Sequence, residues 1–179
     1  LGYPNEQVLN RESEIKNVSK KYGFKEVFNF SFPPTLVDTI PIADLIHKIV
    51  DVYHKVEPDV IFMPYNNDVH TDHQVIAKAL QSTFKWFRYP YIKKVLMYET
   101  LSETEFNFMI ENTFKPNLFI DMAQYLDSKI DIMKTYKSEI DKFPFPRSEK
   151  AIRALATYRG SQAGFSAAEA FKLVYNKIG

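Results

Sequence analysis

The chain has 179 residues, of which 45% are hydrophobic and 25% are charged, as is usual for a folded protein. This length predicts one domain, residues 1–179. Lys and Arg total 23 against 22 Asp and Glu, so no net field would attract the protein to a nucleic acid or an anionic membrane. Cysteine is absent, which leaves His, Asp and Glu as metal ligands. No apolar run approaches the ~20 residues of a membrane span and no signal peptide opens the sequence, so we expect a cytoplasmic protein.

Helical and extended patterns alternate along the chain. In chain order, apolar periodicity and end signals predict a helix over residues 11–22, a strand over 27–32, a helix over 42–56, a central strand over 60–63 and a helix that begins with a capping box at Thr71 and Gln74. Strands at 94–98 and 118–120 follow, then helices at 122–142, 148–159 and 166–177, the last with a capping-box pattern at Ser166 and Glu169. This order predicts an open, mostly parallel α/β sheet with helices on both faces, in which residues 60–63 are covered on both sides.

Four side chains that can bind protons or metals crowd into six positions directly after the predicted strand 60–63: Asp68, His70, Asp72 and His73. Ligands in open α/β sheets bind beyond the carboxyl ends of strands, where this cluster would lie. A solvated polar loop with a helix-capping Asp is the alternative. A helix amino terminus favours the neutral imidazole that a metal requires, and a neighbouring carboxylate can fix its tautomer. The remaining histidines, His47 and His54, lie on the polar side of a predicted helix and are expected to be solvated.

At this cluster the sequence resembles the LmbE and PIG-L zinc-dependent N-deacetylases, which have a Rossmann-like α/β fold. The family motif Asp-x-His-x-Asp-His is matched by the four clustered residues. Residues 11–14 resemble the family's Arg-x-x-Glu helix start. Residues 145–147, 159–164 and 168–171 resemble the Pro-Arg-Ser, Arg-Gly and Ala-Glu-Ala-Phe stretches of one bacterial branch. The resemblance therefore spans the chain.

The resemblance implies a hydrolase in which zinc, or another divalent metal, and a carboxylate base activate water to attack the N-acetyl group of an amino sugar or sugar conjugate. It implies that His73 is a metal ligand and that His70 stabilises the oxyanion or protonates the leaving amine. Asp72 would orient a histidine, with Asp68 in support. Arg11 would face the substrate or the released acetate, although a solvated arginine at a helix start is the alternative. No nucleotide cofactor and no nucleic-acid or membrane partner is expected, and a homo-oligomer is left open.

The family's second signature, His-Pro-Asp-Asp-Glu, does not occur in this sequence. In the family it supplies two zinc ligands and the base, and a catalytic zinc generally takes three protein ligands and a water. We therefore expect a first strand, loop and helix to precede Leu1 in the natural protein, and residues 1–179 alone to be a poor metal site. Two alternatives are a catalytically silent sugar-binding module and a metal-dependent amidase for another amide, built around Asp68, His70 and His73.

Overall fold

The computed structural model describes residues 5–178, with side chains from residue 7 onward. Its longer elements are five helices and four strands: α1 Asn5–Tyr22, α2 Ile42–Val56, β1 Val60–Pro64, α3 Thr71–Gln81, β2 Lys94–Tyr98, β3 Leu118–Asp121, α4 Leu126–Met133, α5 Glu149–Ser161 and β4 Ala168–Asn176. Among the helices of this described range, none is long and apolar enough to cross a membrane.

Contacts divide the chain into two compact units. One consists of Leu1–Asn29 with Phe119–Glu169, and the other of Phe30–Leu118 with Ala170–Gly179. The first unit contains α1, α4 and α5, and the second contains α2, β1, α3 and β2. The prediction of a single domain stays a prediction.

The four strands follow the order β1-β2-β4-β3. Strands β1 and β2 are parallel, from the pair Val60 and Lys94 to the pair Pro64 and Tyr98. Strand β4 joins β2 antiparallel, with an irregularity in β2 between Val95 and Leu96. The α/β fold with an open sheet is thus confirmed, and the sheet is mixed.

Strand β1 occupies an edge of the sheet in the described part of the chain, so the prediction of a central strand is wrong. Its residues also alternate in burial: Ile61 and Met63 are buried, whereas Val60 and Phe62 are 36% and 51% exposed. The strand is therefore not covered on both faces as predicted. The uninterrupted apolar run could not reveal this, because it contains apolar residues at both the inward and the outward positions.

The core of the second unit lies between α2, α3 and the inward residues of β1 and β2. The predicted apolar stripe of α2 supplies Leu45, Ile49 and Tyr53, all buried. The helix ends at Glu57 in the left-handed conformation with φ 48°, directly before Pro58. Because a residue before proline avoids the right-handed helical region, Pro58 sets this boundary. The sequence-predicted helix 42–56 is confirmed.

Three predicted elements differ from the structure. Residues 27–32 are not in a regular strand, and the helix predicted over 122–142 is reduced to α4 after a short 3-10 turn. The helix predicted over 166–177 is wrong, because this segment is strand β4. Pairing with β2 and burial of Phe171 favour the extended conformation of this segment. These tertiary contacts outweigh the local capping-box pattern, which is not followed by a helix.

The first unit confirms the helix predicted over 148–159. Ser148 is the N-cap of α5, and its Oγ accepts a hydrogen bond from the backbone N–H of Ala151 at 3.3 Å. Ala156 of this helix packs with Met122 and Ala167 in a small apolar cluster.

Candidate active site

The site residues follow two parallel strands that end at the same level. Beyond β1 the ladder continues with a hydrogen bond from Tyr65 N–H to the Tyr98 carbonyl at 3.1 Å. The loops 65–70 and 99–104 therefore leave the sheet side by side, and Val69 N–H donates to the Glu103 carbonyl at 3.3 Å. The acidic and imidazole cluster lies at the carboxyl edge of a parallel pair, as the sequence predicted.

Asp68 is the most deeply buried member of the cluster, with no exposed surface. Its Oδ2 lies 2.8 Å from His73 Nδ1, and its Oδ1 accepts a hydrogen bond from Thr104 Oγ1 at 2.5 Å. The backbone carbonyl of Asp68 accepts a further bond from the Gln74 side-chain amide at 2.6 Å. A buried carboxylate is tolerated when both oxygens have partners, and Asp68 meets that condition.

The two histidines of the cluster lie side by side, with ring centroids 4.8 Å apart and planes inclined by 16°. His70, and not Thr71 as predicted, is the N-cap of α3, because its Nδ1 accepts the backbone N–H of Asp72 at 3.2 Å. A neutral His70 thus carries its proton on Nε2. A neutral His73 has the opposite tautomer, since an ionised Asp68 accepts from Nδ1–H and Nε2 then keeps its lone pair. The adjacent rings present one donor and one acceptor.

Asp72 is buried, and its carboxylate binds backbone amides. Oδ2 accepts from Thr35 N–H at 2.8 Å and Oδ1 from Val37 N–H at 3.2 Å. Thr35 has a φ of 63°, an uncommon conformation for a residue with a side chain, and the Asp72 contact holds it. In this arrangement the carboxylate that contacts a histidine is that of Asp68, whereas the resemblance implied Asp72 for that role.

Arg11 belongs to the other unit, on α1. Its guanidinium forms an ion pair with Glu139, lies 3.6 Å from Glu14 and donates to Ser138 Oγ at 3.1 Å. It also lies over the Tyr136 ring, 5.0 Å from the centroid. The substrate contact implied for Arg11 stays a prediction, and the structure brings together the other four predicted site residues.

Thr104 is a residue of the site that the sequence did not single out. It is buried, and its hydroxyl lies between the Asp68 carboxylate and the backbone N–H of Thr100, which donates to Thr104 Oγ1 at 2.7 Å. It is 36 positions from Asp68, so no local pattern links the two. The signal that could have found it is topological, because the predicted strand 94–98 ends beside the strand 60–63 in a parallel sheet.

The residues around the cluster fit a zinc ion only in part. His73 Nε2 is a nitrogen of the kind that zinc binds, oriented by a carboxylate as metal-ligating histidines usually are. Within residues 7–178, no three His, Asp or Glu side chains are grouped so that they could hold a metal ion. His73 is therefore a candidate for one ligand, whereas a catalytic zinc generally takes three from the protein.

Comparisons with known proteins agree with the motif. The family model described as PIG-L, GlcNAc-PI de-N-acetylase, matches residues 3–84, which include the whole cluster. A diacetylchitobiose deacetylase of Thermococcus kodakarensis is 24% identical over 174 residues, or 94% of this chain and 64% of that protein. The chain thus spans somewhat less than two thirds of this relative's length.

Solved structures show the same fold at low identity. The conserved protein TT1542 of Thermus thermophilus matches all of this chain and 77% of its own, with a TM-score of 0.74 and 20% identity. The N,N'-diacetylchitobiose deacetylase of Pyrococcus horikoshii, solved with an inhibitor, matches 93% of this chain and 64% of its own, with a TM-score of 0.69 and 16% identity. The hydratase GalB of Pseudomonas putida matches 95% of this chain and 73% of its own, with a TM-score of 0.64 and 15% identity. The family match over residues 3–84 and this fold agree with the resemblance of the sequence to the PIG-L and LmbE deacetylases, and the similarity to diacetylchitobiose deacetylase is distant.

Proposed function

We propose that the protein is a metal-dependent N-deacetylase that hydrolyses the N-acetyl group of an amino sugar or sugar conjugate. The observation that carries the proposal is the pair of stacked histidines with different hydrogen-bond partners, located in the segment that the family model matches. The deacetylase name of the Thermococcus relative supports N-acetylated sugars as the substrate class.

His73 is the residue that would hold the metal. The Nε2 lone pair of a neutral ring is available because Nδ1 carries the proton and donates it in a hydrogen bond to Asp68. A bound zinc ion would polarise the acetyl carbonyl and lower the pKa of a water molecule. Asp68 would strengthen the ligand, since a carboxylate partner raises the basicity of the far ring nitrogen.

His70 is the residue that would act on the substrate oxygen. Its Nε2–H is a donor, because Nδ1 already accepts the Asp72 amide. A fixed N–H aimed at a carbonyl stabilises the negative charge that develops there, and such donors contribute about 10²–10³ in rate.

The experiment is an assay of acetate release from N-acetylglucosamine and N,N'-diacetylchitobiose, on the enzyme at its full natural length with added zinc. We expect His73→Ala to abolish both zinc binding, measured by calorimetry, and turnover. His70→Ala should keep zinc binding and lower kcat about 10²–10³-fold. His47→Ala, an exposed histidine on α2, is the matched control and should leave both unchanged. Turnover that survives His73→Ala would overturn the proposal.

A silent sugar-binding module is the second candidate, and the shortage of metal ligands in residues 7–178 favours it. Calorimetry with the same two sugars separates the candidates. Sugar binding without zinc binding and without acetate release would favour the module, whereas zinc-dependent release of acetate excludes it.

A further inference from the structure

Three consecutive hydrogen bonds connect the loop 99–104 to the ring of His73. The Thr100 N–H donates to Thr104 Oγ1 at 2.7 Å, this hydroxyl contacts Asp68 Oδ1 at 2.5 Å, and Asp68 Oδ2 faces His73 Nδ1 at 2.8 Å. Thr104 and Asp68 are 8% and 0% exposed, so water has little access to compete for these contacts.

The direction of this chain is fixed at its first bond. A backbone N–H can only donate, so Thr104 Oγ1 accepts from Thr100 and directs its own proton to Asp68 Oδ1. An ionised carboxylate only accepts, so Asp68 Oδ2 must receive a proton donor from His73. The donor is Nδ1–H, and a neutral His73 ring then has no proton on Nε2.

We propose that Thr104 is a positioning residue for His73, acting through Asp68. The hydroxyl anchors one carboxylate oxygen, so the other is held in the plane and direction that the imidazole needs. The result is a single His73 tautomer whose bare Nε2 can bind a metal. The inference rests on the proposed function for the role of that nitrogen, whereas the tautomer itself can be measured without any substrate.

A purely structural role for Thr104 leads to different expectations. Its backbone N–H also donates to the Thr100 carbonyl at 2.9 Å, so the residue belongs to the turn 100–104 whatever its side chain does. If the hydroxyl served only that turn, its loss would lower stability and leave the His73 tautomer alone.

The test records long-range proton–nitrogen correlations of protein labelled with 15N-histidine, in the full chain without metal. We expect His73 in the wild type to be protonated on Nδ1 alone. Thr104→Ser keeps the donor and should keep this spectrum. Thr104→Val keeps the shape but removes the donor, and should bring the Nε2–H tautomer to a comparable population. Thr113→Val is the matched control, because its hydroxyl donates to the Ile110 carbonyl at 2.8 Å in a neighbouring loop.

Zinc alone is the second probe. Loss of a partner that orients a ligand typically costs 10–100-fold in metal affinity, so Thr104→Val should weaken zinc binding about tenfold and Thr104→Ser about twofold at most. A wild-type His73 protonated on Nε2, or a folded Thr104→Val with an unchanged tautomer, would overturn the proposal. If Thr104→Val does not fold, the His73 tautomer is compared between the wild type and Thr104→Ala, which also lacks the hydroxyl. If the spectra are as expected but the protein shows no deacetylase turnover, the proposed function is rejected and the role of Thr104 stands.

Discussion

Asp68 and Asp72 lie four positions apart in one motif, yet their carboxylates contact different parts of the molecule. Asp68 faces a histidine and a hydroxyl, whereas Asp72 binds two backbone amides of the segment 35–37. The difference follows from α3, which begins between them. Asp68 precedes the helix and points under it, and Asp72 lies in its first turn.

Replacement of Asp72 should therefore act on stability. In Asp72→Asn one carboxylate oxygen becomes an NH₂ group, which cannot accept the amide hydrogen of Thr35 or Val37. A buried donor left without a partner costs about 1–3 kcal/mol, so we expect a loss of this order in the free energy of unfolding, measured with urea. Asp44→Asn, at the exposed start of α2, should change it by less than about 0.5 kcal/mol.

The opposite result would support the role that the family resemblance implies for Asp72. If Asp72→Asn kept its stability and lost turnover, Asp72 would be the residue that orients a histidine.

Helix α2 contacts the segment after α3 through the buried side chain of Tyr53. Tyr53 is 4% exposed, and its hydroxyl pairs with Thr83 Oγ1 at 3.2 Å. Burial raises the pKa of Tyr53 to about 12 from an ordinary value of 10.0. A raised pKa means that the folded protein binds this proton more tightly than the unfolded chain. The contribution to stability is complete below pH 10 and disappears as the pH rises toward 12.

Tyr53→Phe should remove this part of the alkaline loss. Between pH 9 and 11 we expect the free energy of unfolding to fall by about 1 kcal/mol less in the variant than in the wild type. At pH 7 the variant should be about 1 kcal/mol less stable, because it lacks the hydrogen bond to Thr83. Tyr125→Phe, at an exposed position, serves as control and should follow the wild type at both pH values. Equal alkaline losses in all three proteins would contradict the assignment.

Helix α5 passes very close to the backbone that follows it. A Cβ placed on Gly160 would lie 2.5 Å from the Phe165 carbonyl oxygen and 2.9 Å from the Ala167 nitrogen. Both neighbours are backbone atoms, so they can move only if the turn moves. The Arg-Gly stretch noted in the sequence thus has a packing reason at its glycine.

Gly160→Ala is expected to cost about 1–3 kcal/mol of unfolding free energy, as overpacking does, despite the better helix propensity of alanine. Gly164→Ala is the comparison, because that position has open space and a φ of +79°, so only backbone strain of about 1 kcal/mol applies. Thermal unfolding of both variants gives the measurement. Gly160→Ala as stable as the wild type would show that the turn 162–167 yields readily.

Sequence patterns predict an element well where its apolar residues lie on one face. Helix α2 has a clear apolar stripe and a proline after its end, and its predicted bounds were confirmed. The capping-box spacing of Ser166 and Glu169 predicts a helix where the structure has strand β4, whose partner residues in β2 lie 73 to 82 positions earlier in the chain. Pairing of that kind is set by the tertiary structure and leaves no local mark.

At the scale of the whole molecule, the ligand count gives the main prediction. Residues 1–179 should bind zinc weakly and release little acetate from N-acetyl sugars, because the proposed site has His73 as its one metal ligand and no assigned base. A longer chain, with a strand-loop-helix unit carrying His-Pro-Asp-Asp-Glu before Leu1, should gain several orders of magnitude in rate. The assay compares both chains with zinc, and His73→Ala in the longer one is the control. Rapid zinc-dependent turnover by residues 1–179 would contradict the count.

The part of the site that comes from one continuous stretch of sequence could be predicted. Asp68, His70, Asp72 and His73 come from one loop and one helix start, so their common location followed from a strand prediction. The different contacts of the two carboxylates could not be predicted, because their partners are distant in sequence. Asp68 contacts Thr104, and Asp72 contacts the amides of Thr35 and Val37.

The hydrogen bond between Asp68 and Thr104 also has a consequence for biosynthesis. Chains emerge from the ribosome amino terminus first, at about 5–20 residues per second, and domains form as their parts become available. Asp68 must wait for 36 further residues before its hydroxyl partner exists, and for β2 to align beside β1. Until then the hydrogen bond that orients Asp68 is missing, so a nascent chain can expose all four clustered residues before the contacts of His73 are complete.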